Sequence, residues 1–276
     1  MASTRIVTDY LYLYGVILAE ELQDSEVPSI LGIDGKLITI KKYIELAAIF
    51  TPVSADNFSQ QQIDLQLKDP EWLKEKAFHH HEMISEIHKH FTVLPMSFCT
   101  VFQNIDNLEV ILDEQYSDLF DKLVNLKGQQ EWNVKVYSNK EKTLSYIQDY
   151  HPTVVELKEK IPSMPKGKQF IMKKKLEQLI ASQVEIEQAK WWKEISCELT
   201  SYVKAVNYRK IWGRDVTDRT DDMMVNCDFL VEKKAAPYFF DKIQVLERKY
   251  EELGCTFQLT GPWPPYHFSK IVKETL

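Results

Sequence analysis

After Gly167 the chain runs to Lys204 without a proline or a glycine. Nothing over that length interrupts a helix, and apolar residues recur at Met172, Leu176 and Leu179 and again at Trp192, Ile195, Leu199 and Tyr202. At ~1.5 Å per residue the run predicts a helix of roughly 50 Å. It is the longest element the sequence offers, so whatever folds in this half must pack along it.

Beyond the helix the pattern changes period. Met223, Val225, Cys227, Phe229 and Val231 alternate with Met224, Asn226, Asp228, Leu230 and Glu232, which predicts a strand with one core face. A helical stripe follows at Phe239, Ile243, Leu246, Tyr250 and Leu253, closed by Gly254, and Cys255, Phe257 and Leu259 then alternate as a last strand.

The first half is built differently. Tyr10 to Leu18 is apolar or aromatic on both faces, the mark of an inner strand. Leu37 to Ile40 and Ile44 to Phe50 read as a hairpin after an Asp34-Gly35 turn. Asp69-Pro70 supplies an N-cap and a first-turn proline for a helix of ~20 residues, with Leu73, Ala77, His80, Ile84, Ile87 and Phe91 on its inner face. Thr92 to Val101 has strand composition broken by Pro95. Asp106 with Glu109 resembles a capping box for a helix carrying Leu108, Leu112, Tyr116, Leu119, Leu123 and Leu126.

Glu131 to Val136 alternates as a half-buried strand with Trp132, Val134 and Val136 inward. Ser138 with Glu141 offers a helix start, and Pro152 and Pro162 interrupt the segment that follows. The expectation is an α+β protein of two domains: 1–138, a connector at 139–165, and 166–276.

Composition removes several function classes. A net charge of -7 gives no general attraction for nucleic acid or for an anionic membrane. The four cysteines are far apart and form no C-x-x-C pair, so they read as free cytosolic thiols. Met1 to Asp9 is polar, unlike a secretory signal, and no run reaches the ~18 apolar residues of a membrane span. With eight glycines and no phosphate-loop or nucleophile-elbow motif, no catalytic or cofactor residues are assigned.

Three constellations remain. His79, His80 and His81, with His88 and His90, form the one histidine cluster, but Ser85 stands where a zinc helix needs its second histidine. A cytosolic metal-binding protein or enzyme centred on residues 79–90 is the alternative function, although His80 falls on the apolar stripe as a core residue would, and no metal ligand is assigned. Lys166, Lys168 and Lys173, Lys174 and Lys175 make a positive cluster at the start of the long helix, either solvated or able to dock an acidic partner. Last, Gly261-Pro262-Trp263-Pro264-Pro265-Tyr266-His267-Phe268 carries three prolines that enforce an extended path after the strand. Trp263, Pro264, Pro265, Tyr266 and Phe268 then either plug a core or present a partner-binding aromatic patch.

That Gly261 to Tyr266 run resembles the closing motif of the GvpL/GvpF family of gas vesicle proteins. Tyr12-Leu13-Tyr14-Gly15-Val16, Asp69-Pro70-Glu71-Trp72-Leu73 with His81-Glu82, Val93 to Phe102, Glu131 to Tyr137 and Pro165 to Phe170 are similar to family segments in the same order. The chain departs at Ser97 and Cys99, where the family usually has Arg and Gly. The resemblance implies a ferredoxin-like N-terminal domain and a smaller C-terminal α+β domain with one long helix. It also implies a cytoplasmic accessory of gas vesicle assembly, without catalytic residues, whose partners are the small hydrophobic shell protein and other vesicle accessories.

Overall fold

A computed structural model describes residues 9–23 and 29–269; the polar opening up to Thr8 lies outside them. The chain forms two compact units, one of residues 1–130 with 263–276 and one of 131–262. Each has its own sheet and helices, as an α+β chain of two domains should.

In the first unit β1 (Asp9–Leu18) is the central strand. It pairs antiparallel with β3 (Leu46–Ser54), which forms a hairpin with β2 (Thr39–Tyr43), and on its other side with β4 (Val93–Pro95) and β5 (Val101–Phe102). Its last eight residues are buried, as expected for a strand covered on both faces. The hairpin differs in detail from the expectation. Ile44 is not in a strand but in the turn, at φ 53. Pairing of β1 with β3 slips between Leu13 and Gly15, and a Cβ on Gly15 would sit 2.5 Å from Val93 Cγ2 and 2.8 Å from the Leu94 carbonyl oxygen. Glycine is required there for β4 to come within pairing distance.

Two short helices, α1 (Ala55–Phe58) and α2 (Gln60–Gln66), lead to α3 (Pro70–His90). Asp69 caps α3 as predicted, its side chain accepting from the Glu71 N–H. Its buried face is His80, Met83, Ile84 and Ile87, whereas Leu73 is left exposed. Met83, Ile84 and Ile87 join Tyr12, Tyr14, Ile17, Ile49, Val53, Phe58, Phe91 and Val93 in one core.

The expected single helix after Asp106 is two, α4 (Ile105–Glu114) and α5 (Tyr116–Leu126), separated at Gln115. The cap is Asn104 and not Asp106, which lies inside the first turn; the Asn104 side-chain oxygen accepts from the Asn107 N–H. The break lets Leu108 and Leu112 of one helix and Leu119, Leu123 and Leu126 of the other all be buried.

The second unit starts earlier than the prolines suggested. Strand β6 (Gln129–Ser138) lies inside its sheet, whose order is β7-β8-β6-β9, with β7 at Ala205–Tyr208, β8 at Asp222–Glu232 and β9 at Cys255–Trp263. The 139–165 segment is no bare connector. It folds as α6 (Lys140–Tyr150) and α7 (Pro152–Lys160), capped at the first by Asn139 rather than Ser138, and Pro152 opens α7 instead of ending a helix. Ile147 and Val154 pack with Ile180 of α8 (Lys166–Thr200), the long helix. A short α9 (Arg214–Thr217) precedes β8, and α10 (Ala236–Glu251) follows it, ending before Gly254 at φ 89. Trp191, Ile195 and Leu199 of α8 and Phe239, Ile243, Leu246 and Tyr250 of α10 pack on Val134, Val136, Val225, Cys227, Phe229 and Val231.

The two strands expected to have one polar, solvated face do not. Glu131, Asn133, Asn226 and Asp228 are all buried. The Asn133 amide donates to Asn226 Oδ1 (3.1 Å), the Cys227 carbonyl (3.2 Å) and Asp228 Oδ1 (2.8 Å), while Asn207 donates to Asp228 Oδ2 (3.0 Å). Arg209 lies 3.5 Å from the same carboxylate. Mutual hydrogen bonding is what makes burial of this polar row tolerable.

Candidate functional site

In the first unit a constellation gathers residues that lie far apart in sequence: Tyr12 and Tyr14 on β1, His80 and His81 on α3, the loop between β4 and β5, and the segment after β9. The Tyr12 hydroxyl is the hub. It accepts from the Cys99 N–H at 3.1 Å and donates to His80 Nδ1 at 2.8 Å. His80 Nε2 in turn faces the Met96 carbonyl at 3.2 Å, which can only accept, so Nε2 carries a proton, and because burial keeps the ring uncharged Nδ1 is left to accept from Tyr12. Tyr14 Oη accepts from the Ile33 N–H at 2.8 Å.

Burial sets the electrostatics. Desolvation pushes His80 down to about 4 and raises the Tyr12 and Tyr14 phenols well above the ordinary tyrosine range. Burial likewise pushes the Cys99 thiol up to about 11. Neutral, mutually bonded groups of this kind form a rigid polar core.

Ser97 and Cys99 lie in a loop and not in the strand expected there. Cys99 holds φ 64, a left-handed conformation that glycine enters freely and other residues enter at a cost. Its N–H bond to Tyr12 anchors it there.

The proline-aromatic segment departs from the extended path expected of it. Strand β9 continues through Gly261 to Trp263, with a cis Gly261–Pro262 bond and Gly261 at φ 136. The chain then curls: the Tyr266 N–H donates to the Pro264 carbonyl at 2.6 Å and the Ser269 N–H to the Pro265 carbonyl at 2.9 Å. The fixed φ of proline suits the start of a turn as well as an extended run. Pro264 and Pro265 are buried; Trp263, Tyr266 and Phe268 are half-buried. Tyr266 packs on the first core, and its hydroxyl shares a 2.9 Å hydrogen bond with His81 Nδ1. The rings of Trp263 and Tyr266 both lie 5.8 Å from that of His81.

A cleft of about 420 Å³ opens beside Tyr266, lined also by Leu94, Pro95, Met96, Ser97, Leu119 and Ser269. Sequence reasoning singled out Tyr266 but not the other wall, since nothing local marks Met96 or Leu119 as its neighbours.

The histidines of α3 do not converge. His80 turns to Tyr12 and His81 to Tyr266; His90 lies 3.6 Å from Glu86. Among the described residues none of them joins a cluster of three metal-ligating side chains. Lys173, Lys174 and Lys175 are exposed on α8, in the second unit, and belong to no part of this constellation.

Comparison with known proteins covers this whole frame. The sequence profile of the gas vesicle synthesis protein GvpL/GvpF family matches residues 10–270. Gas vesicle protein L of Streptomyces sp. (strain CB03234) is 22% identical over 88% of this chain and 87% of its own length. Gas vesicle protein F1 of Halobacterium salinarum is 25% identical over 96% and 95%. The crystal structure of the gas vesicle protein GvpF from Anabaena sp. PCC7120 superposes with a TM-score of 0.68 at 18% identity, covering 95% of this chain and 99% of that one, so the fold is shared. With nearly all of its described length matched, this chain belongs to the GvpL/GvpF family of gas vesicle synthesis proteins.

Proposed function

We propose that this protein is a non-enzymatic accessory of gas vesicle assembly that holds the small hydrophobic shell protein in the cleft beside Tyr266. Membership of the family supports a role in gas vesicle formation. The observation that carries the finer reading is the cleft itself, walled by Leu94, Pro95, Met96, Leu119 and the Tyr266 ring. An apolar cleft within a rigid frame suits a sticky client that would otherwise self-associate, and methionine adapts to varied apolar shapes. The tyrosine and histidine groups around it are bonded to one another, which supports holding over chemistry. No described helix is long and apolar enough to cross a membrane.

The test is co-expression with the shell protein and recovery of the pair. Met96→Lys places a charge in the cleft and should cut recovery at least about tenfold, since burying an unpaired ammonium costs more than the ~1.4 kcal/mol that a factor of ten represents. Trp263→Ala serves as a neighbour outside the lining. Undiminished recovery with folded Met96→Lys protein sinks the assignment of this surface.

A further inference from the structure

The start of α8 carries Lys166, Lys168, Lys173, Lys174 and Lys175, and no aspartate or glutamate occurs from Lys160 to Leu176. Just upstream, Lys158 and Lys160 pair with Asp149 and Glu156. By contrast none of the five ammonium groups meets a carboxylate among the described residues. Among them stand two apolar side chains, Phe170 at 76% exposure and Ile171 at 58%. On a helix the surface neighbours of a residue are those three and four positions away. For Phe170 they are Lys166, Gly167, Lys173 and Lys174; for Ile171 they are Gly167, Lys168, Lys174 and Lys175. The apolar pair is therefore ringed by lysines and one bare glycine. Phe170 thus leaves a large aromatic side chain in water that burial would stabilise.

The complementary pattern occurs on α4. Val110 is 53% exposed, and its neighbours at three and four positions are Asp106, Asn107, Asp113 and Glu114, all exposed. No cation pairs with Asp106, Asp113 or Glu114 among the described residues, and Asp113 only accepts from the Tyr43 hydroxyl. One patch is an apolar pair with a positive rim; the other is an apolar residue with a negative rim.

We propose that these two patches are the halves of a contact between copies of this chain. The start of α8 of one copy docks on α4 of the next, Phe170 and Ile171 covering Val110 while the lysines face Asp106, Asp113 and Glu114. Because the two surfaces differ, each copy brings one of each, so a contact made once leaves a complementary patch free on either partner for a further contact. Both copies carry -7 overall, yet at about 0.1 M salt a Debye length of about 10 Å screens the bulk repulsion while leaving contact-range pairs attractive. The contact is independent of the cleft beside Tyr266 and does not rest on what that cleft holds.

Sedimentation velocity of the full chain over a concentration series tests this. The wild type should sediment faster as concentration rises at about 0.1 M salt and lose that dependence near 0.5 M. Phe170→Ala should weaken association at least about tenfold. The triple variant K173E/K174E/K175E presents acid to acid, and D106K/D113K/E114K presents base to base, so each alone should stay monomeric. Their equimolar mixture restores opposite charges at the contact and should associate again. A wild type that is monomeric at every concentration overturns the proposal. So does a mixture that stays monomeric although circular dichroism shows both variants folded, or association that ignores salt and Phe170→Ala. Lysine-dependent flotation with phosphatidylserine vesicles, in a chain that does not self-associate, assigns the lysines to a lipid surface and equally overturns it.

Discussion

The Tyr12 hydroxyl lies 2.8 Å from Nδ1 of His80, a residue 68 positions later in the chain. That bond ties the central strand to the longest helix of its unit, and the ring completes its bonding through the Met96 carbonyl. Its neutral state is a condition of the fold.

Acid should therefore destabilise the protein through this residue. The folded-state value, about 4, lies below the ordinary 6.5, so the unfolded chain takes up the proton first and stability rises with pH across that interval. The stabilisation is whole above about 6.5, is lost as pH falls to about 4, and amounts to on the order of 3 kcal/mol. Urea unfolding at a series of pH values checks it. His80→Phe should be less stable at neutral pH by about 2 kcal/mol yet show a flatter acid limb than the wild type.

Gly15→Ala should cost about 1–3 kcal/mol, because the added Cβ meets the Leu94 backbone as well as the Val93 side chain and β4 must retreat. A lower denaturation midpoint with unchanged m-value is the expected readout.

At Cys99 the left-handed backbone decides the outcome. Cys99→Val should lose about 1–2 kcal/mol, since branching at Cβ worsens the clash, whereas Cys99→Gly should stay within about 0.5 kcal/mol of wild type as strain relief offsets chain entropy. Parallel thermal melts of the two variants distinguish this from a simple loss of side-chain packing, which would make the glycine variant the weaker.

In the second unit Asn133→Leu should be more damaging than its size suggests. It removes donors from Asn226, from the Cys227 carbonyl and from the buried Asp228 carboxylate, at a cost of about 2–4 kcal/mol by chemical denaturation. Simultaneous Asn133→Leu and Asp228→Leu should cost less than the sum of the two single changes.

Periodicity carried the fold a long way. The Asp69-Pro70 start of α3, the uninterrupted α8, the position of strand β8 and the α10 stripe closed by Gly254 all stand where local physics placed them. What was not legible depends on long-range partners. Alternation at Glu131 and Asn133 reads as a wet face unless Asn226 and Asp228, nearly a hundred positions on, are known to sit opposite. A proline marks either the end of a helix or its first turn, and only packing of Val154 on Ile180 selects the second at Pro152. At the candidate site Tyr266 was visible as an aromatic beside prolines. That it bonds His81, 185 positions earlier, was not.

The interrupted chain path of the first unit has a consequence for biosynthesis. Tyr266 returns to a core whose other members all precede residue 131, and the whole of 131–262 must leave the ribosome before it arrives. During translation the nascent first unit therefore waits with one wall of its cleft missing. Completion of the last turn is what makes that cleft, so a chain cut short upstream of Trp263 cannot assemble it.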